Sequence, residues 1–349
     1  MLTITPRKSA KFKRVITTNE WDSKLGLIHM RTKSQGLKCT VIFAGLALLM
    51  GAVAADAQTA KGTTYPTMLD MTFPEFAAKV ARTDIMLLPV GAIEEHGAHL
   101  PLATDTIESV AQLSEVAQFL RRAGFETVIG PPLNIGITSE SGDMKRDGTY
   151  MYPGSLTVRT DTFVALYVDL MRSLHDNGIN RIFLLSGHLA GPHVEAMARA
   201  VMQANRTVKG LKAYALIDSE RLDRLKVAPD PHILPIRKGM NFEMLTKLLG
   251  SGMEPASATH ADGSEVSQML HFRPDMVRPG FEALPQSPSS KFFEAVVTGD
   301  SSKDPSGTGG FPTDRASAPI GKTIADYRTA RIGEAILAVL TAKSRNVPN

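Results

Sequence analysis

Residues 88–105, LPVGAIEEHGAHLPLATD, constrain this chain more than any other stretch. They continue the apolar run 85–90, IMLLPV, which reads as a strand. The loop that this strand feeds packs Glu94, Glu95, His96, His99 and Asp105 into twelve residues. In extended backbone, side chains two apart leave on the same side, so Glu94 and His96 can converge. Pro101 blocks helix and turns the chain back, and Asp105 follows His96 by nine residues. Carboxylate oxygens mixed with imidazole nitrogen suit zinc, manganese or ferrous iron better than calcium or copper. A polar loop whose acids and imidazoles are satisfied by solvent is the competing reading. The density of ligands and the strand-to-loop setting favour the metal.

The start of the chain has a different character. Arg31, Lys33 and Lys38 precede an uncharged apolar run over 41–55, and Ala55-Asp56-Ala57 closes it. A basic region, an apolar core and an A-x-A site predict a secretory signal peptide over residues 30–57, cleaved after Ala57. The run is shorter than the roughly 20 residues that a membrane span needs, so no membrane attachment is expected after cleavage. Residues 1–29 read as an upstream extension without structural role, with translation starting at Met30. The expected mature chain, 58–349, is then periplasmic or secreted.

Removing the leader changes the charge. Residues 1–57 carry nine of the 39 Lys and Arg and three of the 35 Asp and Glu, leaving 30 basic against 32 acidic groups. A nucleic-acid surface is not expected on such a chain. Cys39 and Trp21, the only Cys and the only Trp, both lie in the leader, so the mature protein has neither disulfide nor tryptophan.

Further along, strands and helices alternate. Helices are predicted over 73–82, 106–123 and 161–176, the last capped by Asn177-Gly178. A second strand covers 127–130, and 134–155 is a long Gly-rich connection of the kind that is either functional or disordered. A third strand, 181–185, ends in Ser186-Gly187-His188, where Gly187 and Gly191 permit the tight backbone that presents His188. A helix over 193–207 and a strand over 211–217 follow. Residues 226–241 read as Pro-rich and irregular, 287–319 as an irregular cover over one edge of the site, and 321–343 as an amphipathic helix. The pattern predicts a single three-layer α/β/α domain with a mostly parallel sheet, ligand-bearing loops meeting at the carboxyl ends of its strands.

Residues 88–105 resemble the signature of the creatininase (creatinine amidohydrolase) family, in which a Glu-x-His and an Asp nine residues later bind two metals. Tyr152-Pro153-Gly154-Ser155 is similar to the family's aromatic-Pro-Gly-Thr turn, and the segment around His188 to its Asn-Gly-His-Gly-Gly-Asn segment. Residues 260–267, HADGSEVS, resemble the His-Ala-Gly-Glu-x-Glu-Thr-Ser motif. The resemblance implies a creatininase-like fold and two divalent ions, Zn, Mn or Fe, held by Glu94, His96, Asp105, His188 and Glu265, with Asp105 as the bridge. Three departures stand out: Ser186 replaces Asn, Ala190 takes the place of an acid that helps hold a metal in creatininase proper, and Gly263 takes that of the motif's first Glu. These departures, with the missing tryptophans, argue against creatinine as substrate.

The implied reaction is hydrolysis of an amide, lactam or formamide C–N bond, non-peptide and possibly cyclic, by a metal-bridging hydroxide. A proton must reach the departing nitrogen, and His260 is the candidate donor, with Glu95 and His99 behind it. A histidine beside two dications is expected to have a lowered pKa. The expected partner is a small amide-type molecule, and the resemblance implies a homo-oligomer, a hexamer in many relatives. Two other readings stay open. One is an exported metal- or solute-binding protein without catalysis. The other is a metallohydrolase of esters or phosphates, for which Lys145-Arg146 supplies the only basic cluster.

Overall fold

A computed structural model describes residues 66–138, 144–145, 147–236, 242–250, 259–285 and 289–342. The segment read as a signal peptide and Arg146 lie outside them.

The apolar run 85–90 forms strand β1, Ile85–Val90, and all six of its residues are buried. Such a strand must have a neighbour on each edge and a layer on each face. Its neighbours are β2, Val128–Ile129, and β3, Arg181–Ser186, and the sheet continues through β4, Lys212–Asp218, to β5, Ile233–Ile236. All four pairings are parallel, in the order β2-β1-β3-β4-β5.

Alternation along the strands separates the two faces. Met86, Leu88 and Val90, with Ile182 and Leu184, pack on α3, Thr160–Asp176, and α4, Gly191–Thr207. Ile85 and Leu87, with Phe183, Leu185 and Leu216, pack on α2, Thr104–Arg122, and α9, Ala318–Thr341. The result is the expected three-layer α/β/α domain, and each fully buried Leu, Ile or Phe contributes about 1.5–3 kcal/mol. A short helix, α1, Phe73–Val80, opens the domain on a Thr72/Glu75 capping box. Among the described residues no helix is long and apolar enough to cross a membrane.

Several elements differ from the sequence-based expectation. The stretch 226–241 was expected to be irregular, but β5 lies within it, with Pro235 opposite Ile217 on the outermost strand, where a missing N–H costs no ladder bond. A short helix α5, Ser219–Leu225, follows β4 directly, its first N–H groups received by Asp218. Helix α6, Phe242–Leu249, precedes α7, Gly263–Phe272. The cover 287–319 contains a helix, α8, Ser289–Thr298, that the Ser-Gly-Pro composition hid. Helix α4 begins two residues earlier than its periodicity indicated, which places His193 inside its buried first turn.

Candidate metal centre

The carboxyl ends of β1 and β3 bring the first two ligand groups together. Register pairs Val90 with Ser186, so the loops after both strands leave the sheet side by side. The first turn of α2 then closes onto them. A Cβ on Gly187 would lie 2.0 Å from the Asp105 carbonyl oxygen, and one on Gly91 would lie 2.1 Å from Thr106 Oγ1. Only glycine at these two positions lets the helix start come close enough for Asp105 to reach both loops.

Asp105 sits between two imidazoles. His96 Nε2 lies 3.4 Å from Asp105 Oδ1, and His188 Nδ1 lies 3.3 Å from Asp105 Oδ2 and 2.8 Å from Glu94 Oε2. Glu265 approaches from α7, its Oε2 3.8 Å from His96 Nε2 and accepting the Ala261 N–H at 2.7 Å. Glu94, His96, Asp105 and His188 are all buried, and the Glu265 side chain is one-fifth exposed. The five residues singled out in the sequence are thus brought together.

Each histidine is oriented by a main-chain carbonyl. His96 Nδ1 donates to the Glu94 carbonyl at 3.1 Å, leaving the Nε2 lone pair toward Asp105 and Glu265. His188 Nε2 donates to the Ile137 carbonyl at 3.1 Å, leaving Nδ1 toward Glu94 and Asp105. Fixing one ring nitrogen as donor so that the other offers its lone pair is how proteins orient metal-binding imidazole. Asp105 Oδ2 is buried and without a hydrogen-bond donor, which leaves an acceptor whose natural partner is a cation. Glu94, Asp105 and His188 offer ligand atoms all within 4.8 Å of one another, and so do Glu94, His96 and His260. This donor set fits a divalent cation of the zinc or manganese type.

The electrostatics match. Burial raises the carboxyls and lowers the imidazoles, yet mutual attraction wins. Asp105 is held well below the usual carboxylate range, burial opposing it and His96 and His188 overriding. Glu94 is lowered against burial by His188. His96 and His188 are raised well above the usual histidine range, the first by Asp105 and the second by Glu94.

The three proton-transfer candidates separate. His260 Nε2 donates to the Glu95 carbonyl at 2.8 Å and lies 3.2 Å from Glu95 Oε1, while its ring stacks on Phe292 at 4.9 Å. The expected lowering of its pKa is not what the protein's own groups produce. Burial works against its charge, but the Glu95 carboxylate more than offsets this and pushes His260 up to about 9. Glu95 itself turns from the ligand cluster toward His260 and Gly97 N–H. His99 is committed elsewhere: its Nε2 donates to the Ala261 carbonyl at 3.0 Å, and burial pushes it down to about 4. It ties the loop after β1 to the one before α7.

The departures from the motif also have structural counterparts. A Cβ on Gly263 would fall 2.0 Å from the Pro312 carbonyl oxygen, so no acid fits there while the 304–313 segment keeps its path. Asp262 does not replace it. Its carboxylate caps α7 through the Ser264 and Glu265 N–H groups, accepts from Phe311 N–H, and is pushed up to about 6, chiefly by burial. Part of the expected cover reaches the site edge, where Gly309 pairs with His260 through two main-chain bonds of 2.8 Å. Tyr152 donates to the Asp304 carbonyl, and Ser155 Oγ accepts the Glu95 N–H, so the end of the Gly-rich connection is fastened to the ligand loop. Sequence reasoning missed His193, which is fully buried with its ring against that of His188 at 4.8 Å. No motif pointed to it, since its partners lie up to 56 residues away.

The profile of the creatininase family, creatinine amidohydrolase, matches residues 69–336. Creatinine amidohydrolase of Pseudomonas putida is 26% identical over 275 residues, covering 77% of this chain and 91% of that protein. Mycofactocin precursor peptide peptidase of Mycolicibacterium smegmatis is 36% identical over 118 residues, 34% of this chain and 43% of that protein. A solved manganese form of creatininase shares the fold with TM-score 0.56 at 22% identity, covering 80% of this chain and 100% of that chain. A Zn-Zn type of a mutant creatininase does so with TM-score 0.56 at 21% identity, over 80% of this chain and 100% of that one. The profile spans most of the described domain, including both ends of the ligand cluster, and the chain belongs to the creatininase family.

Proposed function

We propose that this protein is a metal-dependent amidohydrolase that cleaves a C–N bond of an amide, lactam or formamide. The observation that carries the reading is Asp105, whose two oxygens reach imidazoles from two different strand ends, one of those oxygens being buried without a donor. Glu94, Asp105 and His188 would hold one divalent ion, and His96, Asp105 and Glu265 a second. Zinc or manganese is the proposed metal, in line with the metals of the creatininase structures of the same fold. Such ions would supply Lewis acidity toward a carbonyl oxygen and a water of lowered pKa.

The chain's own residues do the rest. Amide nitrogen leaves only when protonated, so the site needs a group that still carries a proton at neutral pH and lies close to the ligands. His260 meets both needs: its ring centroid lies 4.7 Å from that of His96, and Glu95 holds its Nε2–H while favouring the imidazolium. Phe292 packs on the outer face of the ring and limits water there. Glu95 is therefore a positioning residue for His260.

A second reading concerns the size of the substrate. The stretch similar to mycofactocin precursor peptide peptidase favours including peptide amides beside small cyclic ones. We further propose that the protein is exported after cleavage near Ala57; intact mass of the secreted form, retaining residues before Ala57, would contradict this. The functional test is turnover by the purified, metal-loaded full chain on a panel of amides, lactams, formamides and short peptides. Chelator-sensitive cleavage of at least one class, restored by zinc or manganese, is expected. Tight metal binding with no turnover on any class would instead support a binding protein that has lost catalysis through Ala190 and Gly263.

A further inference from the structure

His193 lies in the first turn of α4, five residues after His188, with no exposure to solvent. A buried imidazole costs free energy unless both ring nitrogens find partners. Here they do, and both partners lead back to His188. His193 Nδ1 accepts the Ile137 N–H at 3.2 Å, and the carbonyl of that same residue accepts the Nε2–H of His188. Because Nδ1 accepts, the proton of the neutral ring sits on Nε2 and is donated to Ser186 Oγ at 3.1 Å. Ser186 Oγ in turn donates to the His188 carbonyl at 2.7 Å. The ring of His193 also stands edge-on to that of His188, at an interplanar angle of 82°.

We propose that His193 is a positioning residue of the metal centre, holding His188 with Nδ1 toward Glu94 and Asp105 through Ile137 on one side and Ser186 on the other. One imidazole thus fixes both the ring partner and the main chain of a ligand. The backbone has been fitted to this arrangement: a Cβ on Gly136 would lie 3.2 Å from His193 Nδ1 and 2.7 Å from the Ala92 Cβ. Ser186 suits this arrangement, since its hydroxyl can accept from His193 and donate to the His188 carbonyl at once. Ile137 begins the segment whose neighbour Thr138 bonds Leu156 and Thr157, so the base of the Gly-rich connection is set by the same contact.

This inference rests on the metal reading above, and its test keeps the two apart. The measurement is the dissociation constant for Zn²⁺, by competition with a chromophoric chelator, on the full chain and its variants. His193→Phe keeps the ring volume and loses both hydrogen bonds, whereas His193→Asn loses volume but retains an acceptor where Nδ1 lies. A packing role ranks Phe above Asn, and a positioning role ranks Asn above Phe. The expected result is a roughly 10–100-fold loss of Zn²⁺ affinity in His193→Phe and a smaller loss in His193→Asn. Ser186→Ala, which breaks only the second route, should lose a few-fold. Should His193→Phe fail to fold, Ser186→Ala decides, and unchanged affinity there overturns the proposal. Wild-type affinity in His193→Phe, or tighter binding than in His193→Asn, overturns it alone. No zinc uptake by the wild-type chain would overturn the metal reading and this inference with it.

Discussion

At the scale of single residues, the proposed function assigns some groups to hold cations and one pair to handle a proton. His260 and Glu95 form that pair. Removing the imidazole with His260→Ala should leave metal content unchanged and lower turnover on amides by about 10²–10⁴-fold. An activated ester, whose leaving group needs little protonation, should lose far less, and equal losses on both substrates would remove His260 from proton transfer. Glu95→Gln gives a sharper result. Among the protein's own groups, Glu95 is the main one that raises the pKa of His260, to about 9 against burial. An acid must be protonated to act, so activity falls as pH rises through its pKa, and Glu95→Gln should move that alkaline limb to lower pH. An unmoved limb would show that the carboxylate does not act on the ring.

The residue scale is also where the sequence was most and least legible. Glu94, His96 and Asp105 could be read because their spacing within one loop carries the geometry. His188 and Glu265 could be read only through resemblance, because strand register and the packing of α7 bring them in. Ser186 could be read only as a departure from the motif, and His193 not at all: a buried imidazole bonded to Ile137, 56 residues away, leaves no local pattern. Asp262 misled in the opposite direction, since an acid beside a motif can be a helix cap.

At the scale of elements, the centre depends on how closely α2 approaches the sheet. Its first turn is pressed against Gly187, and that contact, rather than helix propensity, sets where Asp105 lies. Gly187→Ala should destabilise the fold by about 1–3 kcal/mol through overpacking. It should also weaken Zn²⁺ binding beyond what Ala at an ordinary glycine would do, because the shift displaces Asp105. Thermal denaturation together with zinc competition checks both, and wild-type values for both would mean the backbones are free to part. Legibility here followed periodicity. Elements β1, α2, α3, β3 and α4 carry clear apolar patterns over long spans and were legible to within two or three residues. Elements β5, α5 and α8 are short or interrupted by Pro, Ser and Gly, and tertiary packing forms them where local preference does not.

At the scale of the whole molecule, a cluster of buried acids and imidazoles links metal binding to pH and stability. With metal stripped by a chelator, His96 and His188 have pKa values raised above the unfolded value of about 6.5, so their stabilising contribution is full below that pH and is lost as pH rises through the folded values. Asp105 and Glu94, lowered instead, stabilise above about pH 4 and lose that contribution as pH falls through their folded values. The stripped protein should therefore lose thermal stability in the alkaline window that opens at about pH 6.5, where cation binding to deprotonated imidazole grows stronger. The rise in Tm on adding zinc should increase across that window. A pH-independent rise would show that the imidazoles are not ligands.

The central claim, that Asp105 joins two cation sites, is tested most directly by elemental analysis of the purified full chain beside its Asp105→Ala variant. The wild type is expected to carry two divalent ions per chain. Asp105→Ala should lose both, because removing the shared carboxylate takes a ligand from each ion at once and leaves the two cations without the anion between them. Equal metal content in the two proteins would contradict the account.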